Sequence, residues 1–251
     1  MQYRKKVILD NLHHAFPKKS DQEIRKIATQ FYKNFADTLV ETLKSLTISK
    51  KEIMRRVVLD VEELRKIQKE GFSIFLMAPH IFNWEWYSLR YSIYLKLPPY
   101  GIYQKLNSKL SDWLMYAIRS RFGGIPIERG EVLRHAIRGT GKPNIYATLA
   151  DLRPQDSDNK YWMKFMNRDA AFFTGTEKLA RKLNYAIVYL QFTRIKRGYY
   201  KSKVIKIEVP PFETKPYEIT EKFVRLVEKD IKKDPASYLW SHKRWKHIRP
   251  K

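Results

Sequence analysis

The sequence predicts an α/β protein: a central, mainly parallel or mixed sheet flanked by helices, after an N-terminal helical segment. From residue 57 onward, short apolar runs that suit buried strands alternate with longer periodic runs that suit helices. Before residue 57, apolar residues recur at helical spacing with no strand pattern between them. We therefore expect one domain over 1–251, with a helical segment at 1–56 and an α/β core at 57–251 that ends in a basic tail.

The N-terminal segment is predicted to contain one long helix. Ser20 and Glu23 form the Ser-x-x-Glu pattern of a capping box, which marks a helix start. Asn11 to Pro17 is expected to break the pattern before this helix, and Ser49 to Arg56 to form a short helix after it. The residues predicted to face the core are Ile24, Ile27, Ala28, Phe31, Phe35, Leu39 and Leu43.

The core elements follow from alternating patterns and turn residues. The predicted strands are Val57 to Leu59, Phe72 to Met77, Pro98 to Tyr103, Ile125 to Ile127, Asn144 to Leu149, Tyr161 to Met166, Ile187 to Thr193 and Tyr199 to Val209. The predicted helices are Val61 to Glu70, Trp84 to Leu95, Leu106 to Phe122, Val132 to Arg138, Thr174 to Leu183 and Ile219 to Lys233.

His80 and Glu85 lie where a predicted strand runs into a predicted helix, which is where α/β proteins commonly place their chemistry. A spacing of five residues puts two helical side chains on different faces. We therefore expect His80 in the turn and Glu85 in the first helical turns, where the carboxylate can orient an imidazole that acts as a base. Asn83, between them, either caps the helix or holds the pair in place.

A second set of candidates lies at the ends of other elements. Asp151 ends a predicted strand, and it is either a turn residue or an acid that shares a crevice with His80. Arg153 follows it in the same turn. Arg119 and Arg121 lie near the carboxyl end of a predicted helix. They either complement the helix dipole or bind a phosphate or an oxyanion.

Composition points to anionic partners. The chain has 50 Lys and Arg residues against 26 Asp and Glu, a formal charge of +24, which favours nucleic acid, an anionic membrane or a phosphorylated or acidic substrate. Aromatic residues make up 14%, and aromatics mixed with cations suit a membrane interface as well as nucleic acid. The basic tail, 242–251, is interpreted either as a solvated end or as a docking segment anchored by Trp240 and Trp245. The absence of cysteine excludes an acyl-cysteine mechanism, and we expect no metal site.

The ordered set of motifs resembles one family. His80-Ile81-Phe82-Asn83-Trp84-Glu85 resembles the His-x-x-x-x-Glu box of the lysophospholipid acyltransferase superfamily. The segments Arg4 to Pro17, Tyr103 to Gly123, Asp151 to Pro154 and Pro235 to Pro250 extend the resemblance, more closely to the bacterial lipid A late acyltransferases. The family usually has glycine where this chain has Phe82, and a bulky residue there is expected to reshape the turn or the acyl tunnel.

The resemblance implies a function and a place for it. A fatty acyl chain passes from acyl carrier protein, or from coenzyme A, to a hydroxyl of a lipid A precursor, with no further cofactor. His80 is the implied base, Glu85 the residue that holds its ring, Arg119 a phosphate or oxyanion contact, and Asp151 a residue that sets site geometry. The implied partners are acyl carrier protein, an anionic phosphorylated glycolipid and the cytoplasmic face of the bacterial inner membrane. There the protein is expected to be peripheral, or anchored by an N-terminal helix that this chain lacks.

Other functions remain open from the sequence. The same chemistry could act on another glycolipid or a lysophospholipid. A lipid-binding relative without activity is less favoured, because His80 and Glu85 are both present. A basic nucleic-acid-binding protein is the least favoured, and we expect no nucleic-acid partner.

Overall fold

The computed structural model describes residues 3–95, 99–138 and 143–249. The helices are α1 (Lys5–Ala15), α2 (Asp21–Lys44), α3 (Lys50–Arg56), α4 (Glu62–Lys69), α5 (Trp84–Tyr94), α6 (Lys109–Ser120), α7 (Val132–Ile137), α8 (Gly175–Leu183) and α9 (Glu218–Lys233). The strands are β1 (Val57–Asp60), β2 (Ile74–Ala78), β3 (Tyr100–Tyr103), β4 (Ile125–Glu128), β5 (Ile145–Leu149), β6 (Lys160–Phe165), β7 (Arg168–Phe173), β8 (Ala186–Lys196) and β9 (Tyr199–Glu208).

Seven strands form one sheet in the order β1-β9-β8-β2-β5-β3-β4, and β6 pairs with β7 in a separate hairpin. Every pairing in the large sheet is parallel except that of β8 with β9. The central strand β2 is buried along its whole length, which explains its continuous apolar run. The predicted mixed α/β sheet flanked by helices is confirmed. The pairing of Tyr161 to Met166 with a partner strand, β7, was not predicted.

The N-terminal segment is helical, with two differences from the prediction. The capping box is present, since Ser20 accepts from the Glu23 amide and the Glu23 carboxylate accepts from the Ser20 amide. The predicted break at Asn11 is wrong, because α1 continues to Ala15 with Asn11 buried against the C-terminal chain. Leu39 and Leu43, predicted to face the core, are exposed.

Residues 235–249, which we name the C-terminal segment, fold back onto the core. Trp240 is 0% exposed and Trp245 is 8% exposed, so neither can anchor the chain to an external surface. Asn11 donates to the carbonyl oxygens of Trp240 and His242. The interpretation of Trp240 and Trp245 as anchors of a docking tail is therefore wrong. The other interpretation, a solvated basic end, holds for Lys243, Lys246 and Arg249, which are exposed, while Arg244 is buried. Residues 250–251 lie outside the described ranges.

Candidate active site

The sheet brings the ends of β2 and β5 together. The two strands are parallel neighbours, in register from Ile74 opposite Ile145 to Ala78 opposite Leu149. His80 lies two residues after Ala78, just past the end of β2, and Asp151 lies two residues after Leu149, just past the end of β5. Neighbouring strands lie about 4.8 Å apart, so side chains just past the paired ends meet.

The His80 ring is held by Asp151. Nδ1 lies 2.8 Å from Oδ1 of Asp151, and the His80 amide donates to the same oxygen over 3.0 Å. Asp151 is fully buried. Burial pushes the pKa of Asp151 up, but the charge and hydrogen bonds of His80 outweigh it, so the pKa is lowered. An ionised carboxylate only accepts, so Nδ1 carries the proton and Nε2 is left as the basic nitrogen.

Glu85 has different partners from those expected. Arg119 donates to both of its oxygens, from Nε over 3.0 Å and from a terminal nitrogen over 2.7 Å, and the Trp84 indole donates over 3.0 Å. Burial acts to lower the pKa of Arg119, but the charge and hydrogen bonds of Glu85 raise it overall. The Trp84 ring meets the His80 ring edge-on, 5.0 Å between centroids. Glu85 thus reaches the histidine through Trp84, and the ring contact expected of it is made by Asp151.

Asn83 caps α5 and ties it to α2. Its side-chain oxygen accepts from the Trp86 amide over 3.2 Å, and its nitrogen donates to Glu41 over 3.0 Å. Glu41 is itself buried and also accepts from the Tyr200 hydroxyl. Of the two interpretations of Asn83, the structure shows helix capping. The hydrogen bonds of Asn83 with Glu41, and of Glu41 with Tyr200, hold the first turn of α5 in place.

Arg121 and Arg153 point to other partners. Arg121 donates to the carbonyl oxygen of Ser45, so it joins the ends of α6 and α2. Arg153 lies 3.5 Å from Nε2 of His247, in the C-terminal segment. The structure therefore brings His80, Glu85, Arg119 and Asp151 to one edge of the sheet and places Arg121 away from them.

Phe82 occupies a turn that favours glycine. Its φ is 52°, in the left-handed region that residues with a Cβ rarely adopt. The ring is buried and lies 6.0 Å from that of Tyr200, and the amide donates to the carbonyl oxygen of Ser237. Phe82 thus adopts the backbone conformation that glycine favours, so the turn itself is of the glycine type. Phe82 does not line the cavity described next.

An apolar cavity of about 90 Å³ opens beside the ion pair. Glu85 and Arg119 form its polar edge, and the rest is mainly apolar. The lining includes Leu76, Ala78, Trp84, Tyr87, Gly101, Ile102, Leu149, Leu190 and Phe192. Such a space suits a hydrocarbon chain better than a polar group.

The C-terminal segment contributes residues that the sequence reasoning did not place here. Tyr238 forms an antiparallel bridge with Ile81, and the Leu239 amide donates to the His80 carbonyl oxygen over 3.2 Å. His242 and Arg244 lie close enough for their charges to interact with that of Asp151. The aromatic residues of the segment were the available sequence signal, but its run of cations indicated an exposed stretch. Among the described residues, no group of three His, Cys, Asp or Glu side chains could hold a metal ion.

A histidine fixed by a buried carboxylate at the carboxyl edge of a sheet, next to an apolar cavity, is equipped to activate a hydroxyl group. Comparison with known proteins narrows this class. The sequence model of the family described as bacterial lipid A biosynthesis acyltransferase matches residues 1–247, and the chain belongs to that family. It is an acyltransferase of lipid A biosynthesis.

Named relatives carry the same description. The lipid A biosynthesis lauroyltransferase of Escherichia coli (strain K12) is 28% identical over 98% of this chain and 80% of that protein. A lipid A biosynthesis palmitoleoyltransferase of the same strain is 23% identical over 97% of this chain and 79% of that protein. A lipid A biosynthesis acyltransferase of Haemophilus influenzae is 23% identical over 92% of this chain and 72% of that protein.

Proposed function

We propose that this protein moves a fatty acyl chain from a thioester of acyl carrier protein, or of coenzyme A, to a hydroxyl of a lipid A precursor. His80 is the general base. The observation that carries the proposal is the 2.8 Å contact between Nδ1 of His80 and the buried Asp151, because it leaves Nε2 free to accept a proton.

The transfer needs no covalent enzyme intermediate. Nε2 of His80 takes the proton of the acceptor hydroxyl as its oxygen attacks the thioester carbonyl carbon. A carbon–oxygen bond forms, the tetrahedral intermediate collapses, the carbon–sulfur bond breaks, and the imidazolium returns the proton to the leaving thiolate. The negative charge of Asp151 stabilises the imidazolium between these steps, and its hydrogen bond keeps the ring in one orientation.

Glu85 and Arg119 serve the acyl group in this scheme. A guanidinium held at two points by one carboxylate presents its remaining N–H groups in a fixed direction. We assign Arg119 to the developing oxyanion or to a phosphate of a substrate, and Glu85 to the positioning of Arg119 and Trp84. The His/Glu pair of the sequence prediction thus becomes a His80–Asp151 base with Glu85 in a supporting place.

Charge and cavity support the choice of substrates. A protein with a formal charge of +24 attracts both an acidic carrier protein and a phosphorylated glycolipid. The apolar cavity beside Glu85 and Arg119 suits the acyl chain, and two relatives are named for the lauroyl and palmitoleoyl groups they transfer.

The exposed apolar residues of helix α6 support the proposal that the protein acts at a membrane surface. Leu110 is 73% exposed and Trp113 is 65% exposed, with Tyr116 exposed one turn further on. The same helix carries Arg119, a residue of the site, in its last turn. Apolar and aromatic residues on an exposed helix beside lysine suit the interface of an anionic bilayer. Among the described residues, no helix is long and apolar enough to cross a membrane. We place the protein at the cytoplasmic face of the bacterial inner membrane.

One assay tests the proposal. The protein is incubated with acyl carrier proteins charged with chains of different length and a tetra-acylated lipid A precursor, and the products are weighed by mass spectrometry. We expect one added acyl chain, and a loss of about 10²–10⁴-fold in His80→Ala and in Asp151→Asn. Transfer only to a lysophospholipid or another glycolipid would overturn the acceptor. Full activity of His80→Ala would overturn the mechanism.

A further inference from the structure

Arg244 is a cation enclosed in the core beside the site. It is 1% exposed, and its guanidinium carbon lies 4.1 Å from the ring centre of Phe172 and 5.4 Å from that of Phe165. Its three side-chain nitrogens have no hydrogen-bond partner among the described residues. An arginine stays charged in a protein, and aromatic faces offset only part of the cost of burying that charge. An opposite charge nearby is therefore required.

The buried acid that meets this requirement is Asp151. Only its Oδ1 is bonded to His80, and Oδ2 has no hydrogen-bond partner among the described residues. Burial lowers the pKa of Arg244, while its neighbours Tyr238 and Asp151 act against that shift. The Tyr238 hydroxyl lies close to both charges, outside hydrogen-bonding geometry with either. All three side chains are buried, and each keeps at least one polar atom without a hydrogen-bond partner among the described residues.

The backbone fixes this cluster to the base. The Phe82 amide donates to the carbonyl oxygen of Ser237 over 3.1 Å, and the Leu239 amide donates to that of His80 over 3.2 Å. Further along, Nε2 of His247 lies 2.9 Å from the carbonyl oxygen of Pro154, three residues after Asp151. The C-terminal segment is thus bound to the loop of His80 and to the loop of Asp151, with Arg244 between these two attachments.

We propose that Arg244 is a positioning residue whose buried charge, acting through the Tyr238 hydroxyl, keeps Asp151 ionised and weakens its hold on a proton at His80. This rests on the proposed function. Without the guanidinium, Asp151 would bind the imidazolium more tightly, and His80 would remain protonated to a higher pH. The titratable groups around the His80–Asp151 pair are Tyr189, Tyr238, His242, Arg153 and Arg244.

The test follows His80 itself. Histidine-labelled protein is titrated by ¹⁵N NMR without substrate, and the His80 signal is assigned with His80→Gln. We expect Arg244→Gln to raise the titration midpoint of His80 by about one pH unit. Tyr238→Phe should shift it in the same direction by less, and Arg244→Lys should restore most of the wild-type midpoint. Lys246→Gln removes an exposed charge from the same segment and should leave the midpoint in place.

Each outcome decides the matter. A folded Arg244→Gln protein in which His80 titrates as in wild type overturns the proposal. Where circular dichroism shows that Arg244→Gln does not fold, Tyr238→Phe decides, since an unshifted His80 there also overturns it. In the transfer assay, the acid limb of kcat should move by the same amount, which simple loss of packing would not cause. Absence of transfer by the wild type would overturn the proposed function, while the NMR titration would still test the cluster.

Discussion

The C-terminal segment and helix α6 have similar compositions and opposite environments. Both combine tryptophan with cations, as membrane-docking stretches do. In the C-terminal segment Trp240 and Trp245 are buried, whereas Trp113 of α6 is exposed. The main chain of the C-terminal segment is bonded to Asn11 and to the His80 loop, while α6 keeps a single buried residue, Ile118. Composition thus identified two stretches whose side chains suit a membrane interface. The backbone hydrogen bonds of the C-terminal segment show that it belongs to the core.

The largest expected difference between the two regions is in stability. Trp240→Ala should lower the free energy of unfolding by about 3–5 kcal/mol, because it leaves a cavity in the core. Trp113→Ala should change it by less than about 0.5 kcal/mol, since that ring is mostly in water. Urea unfolding measures both. Equal losses would mean that the two tryptophans contribute equally to the core.

Membrane binding should depend on α6. Leu110→Glu with Trp113→Glu should weaken partition onto vesicles of phosphatidylethanolamine and phosphatidylglycerol by about a hundredfold, as two apolar contacts are lost and negative charges added. Sedimentation with vesicles measures the effect. Ile195→Glu, which changes an exposed apolar residue of β8, serves as the matched control and should bind as wild type. Unchanged binding of the double variant would remove α6 from the docking surface.

The C-terminal segment should also contribute pH dependence. Burial lowers the pKa of His242 from 6.5 to about 4. The unfolded chain therefore binds a proton near pH 6.5 that the folded chain refuses until about pH 4. Stability from this group is present above pH 6.5 and lost as the pH falls towards 4.

The variant His242→Asn isolates this effect from the carboxylates. As the pH falls from 7 to 4, the variant should gain stability relative to the wild type by on the order of 2 kcal/mol in the free energy of unfolding. Chemical denaturation at each pH measures it. A difference that is constant with pH would contradict a neutral, partly buried His242.

The smallest effect concerns single exposed cations. Lys109→Gln, at the start of α6, should weaken binding to anionic vesicles by about fivefold, the contribution of one cation near such a surface. Lys246→Gln, also at an exposed lysine but on the C-terminal segment, should have no effect. The two variants are compared at low salt, because screening reduces the signal. A larger loss of vesicle binding in Lys246→Gln than in Lys109→Gln would indicate that the C-terminal segment is part of the docking surface.

Sequence periodicity predicted the helices and strands of the core well, because apolar alternation reflects burial directly. It also placed His80 in the turn and Glu85 in the first turn of α5. It was less successful with partners, because a crevice shared by Asp151 and His80 was only one of two interpretations of Asp151 and the ring contact was assigned to Glu85. Glu85 was paired with His80 by proximity in sequence, whereas the bonded acid, Asp151, is 71 residues away. Only the order of strands, with β5 beside β2, puts Asp151 there, and that order is set by packing of the whole sheet.

The left-handed turn at Phe82 bears on how such enzymes are recognised. This chain has Phe82 at this place, and the family's sequence model still matches it over residues 1–247. What the site needs is a backbone angle, and a phenylalanine meets it at a cost of about 1 kcal/mol when its ring is buried against Tyr200. The constraint on this position is therefore a backbone conformation rather than a residue type.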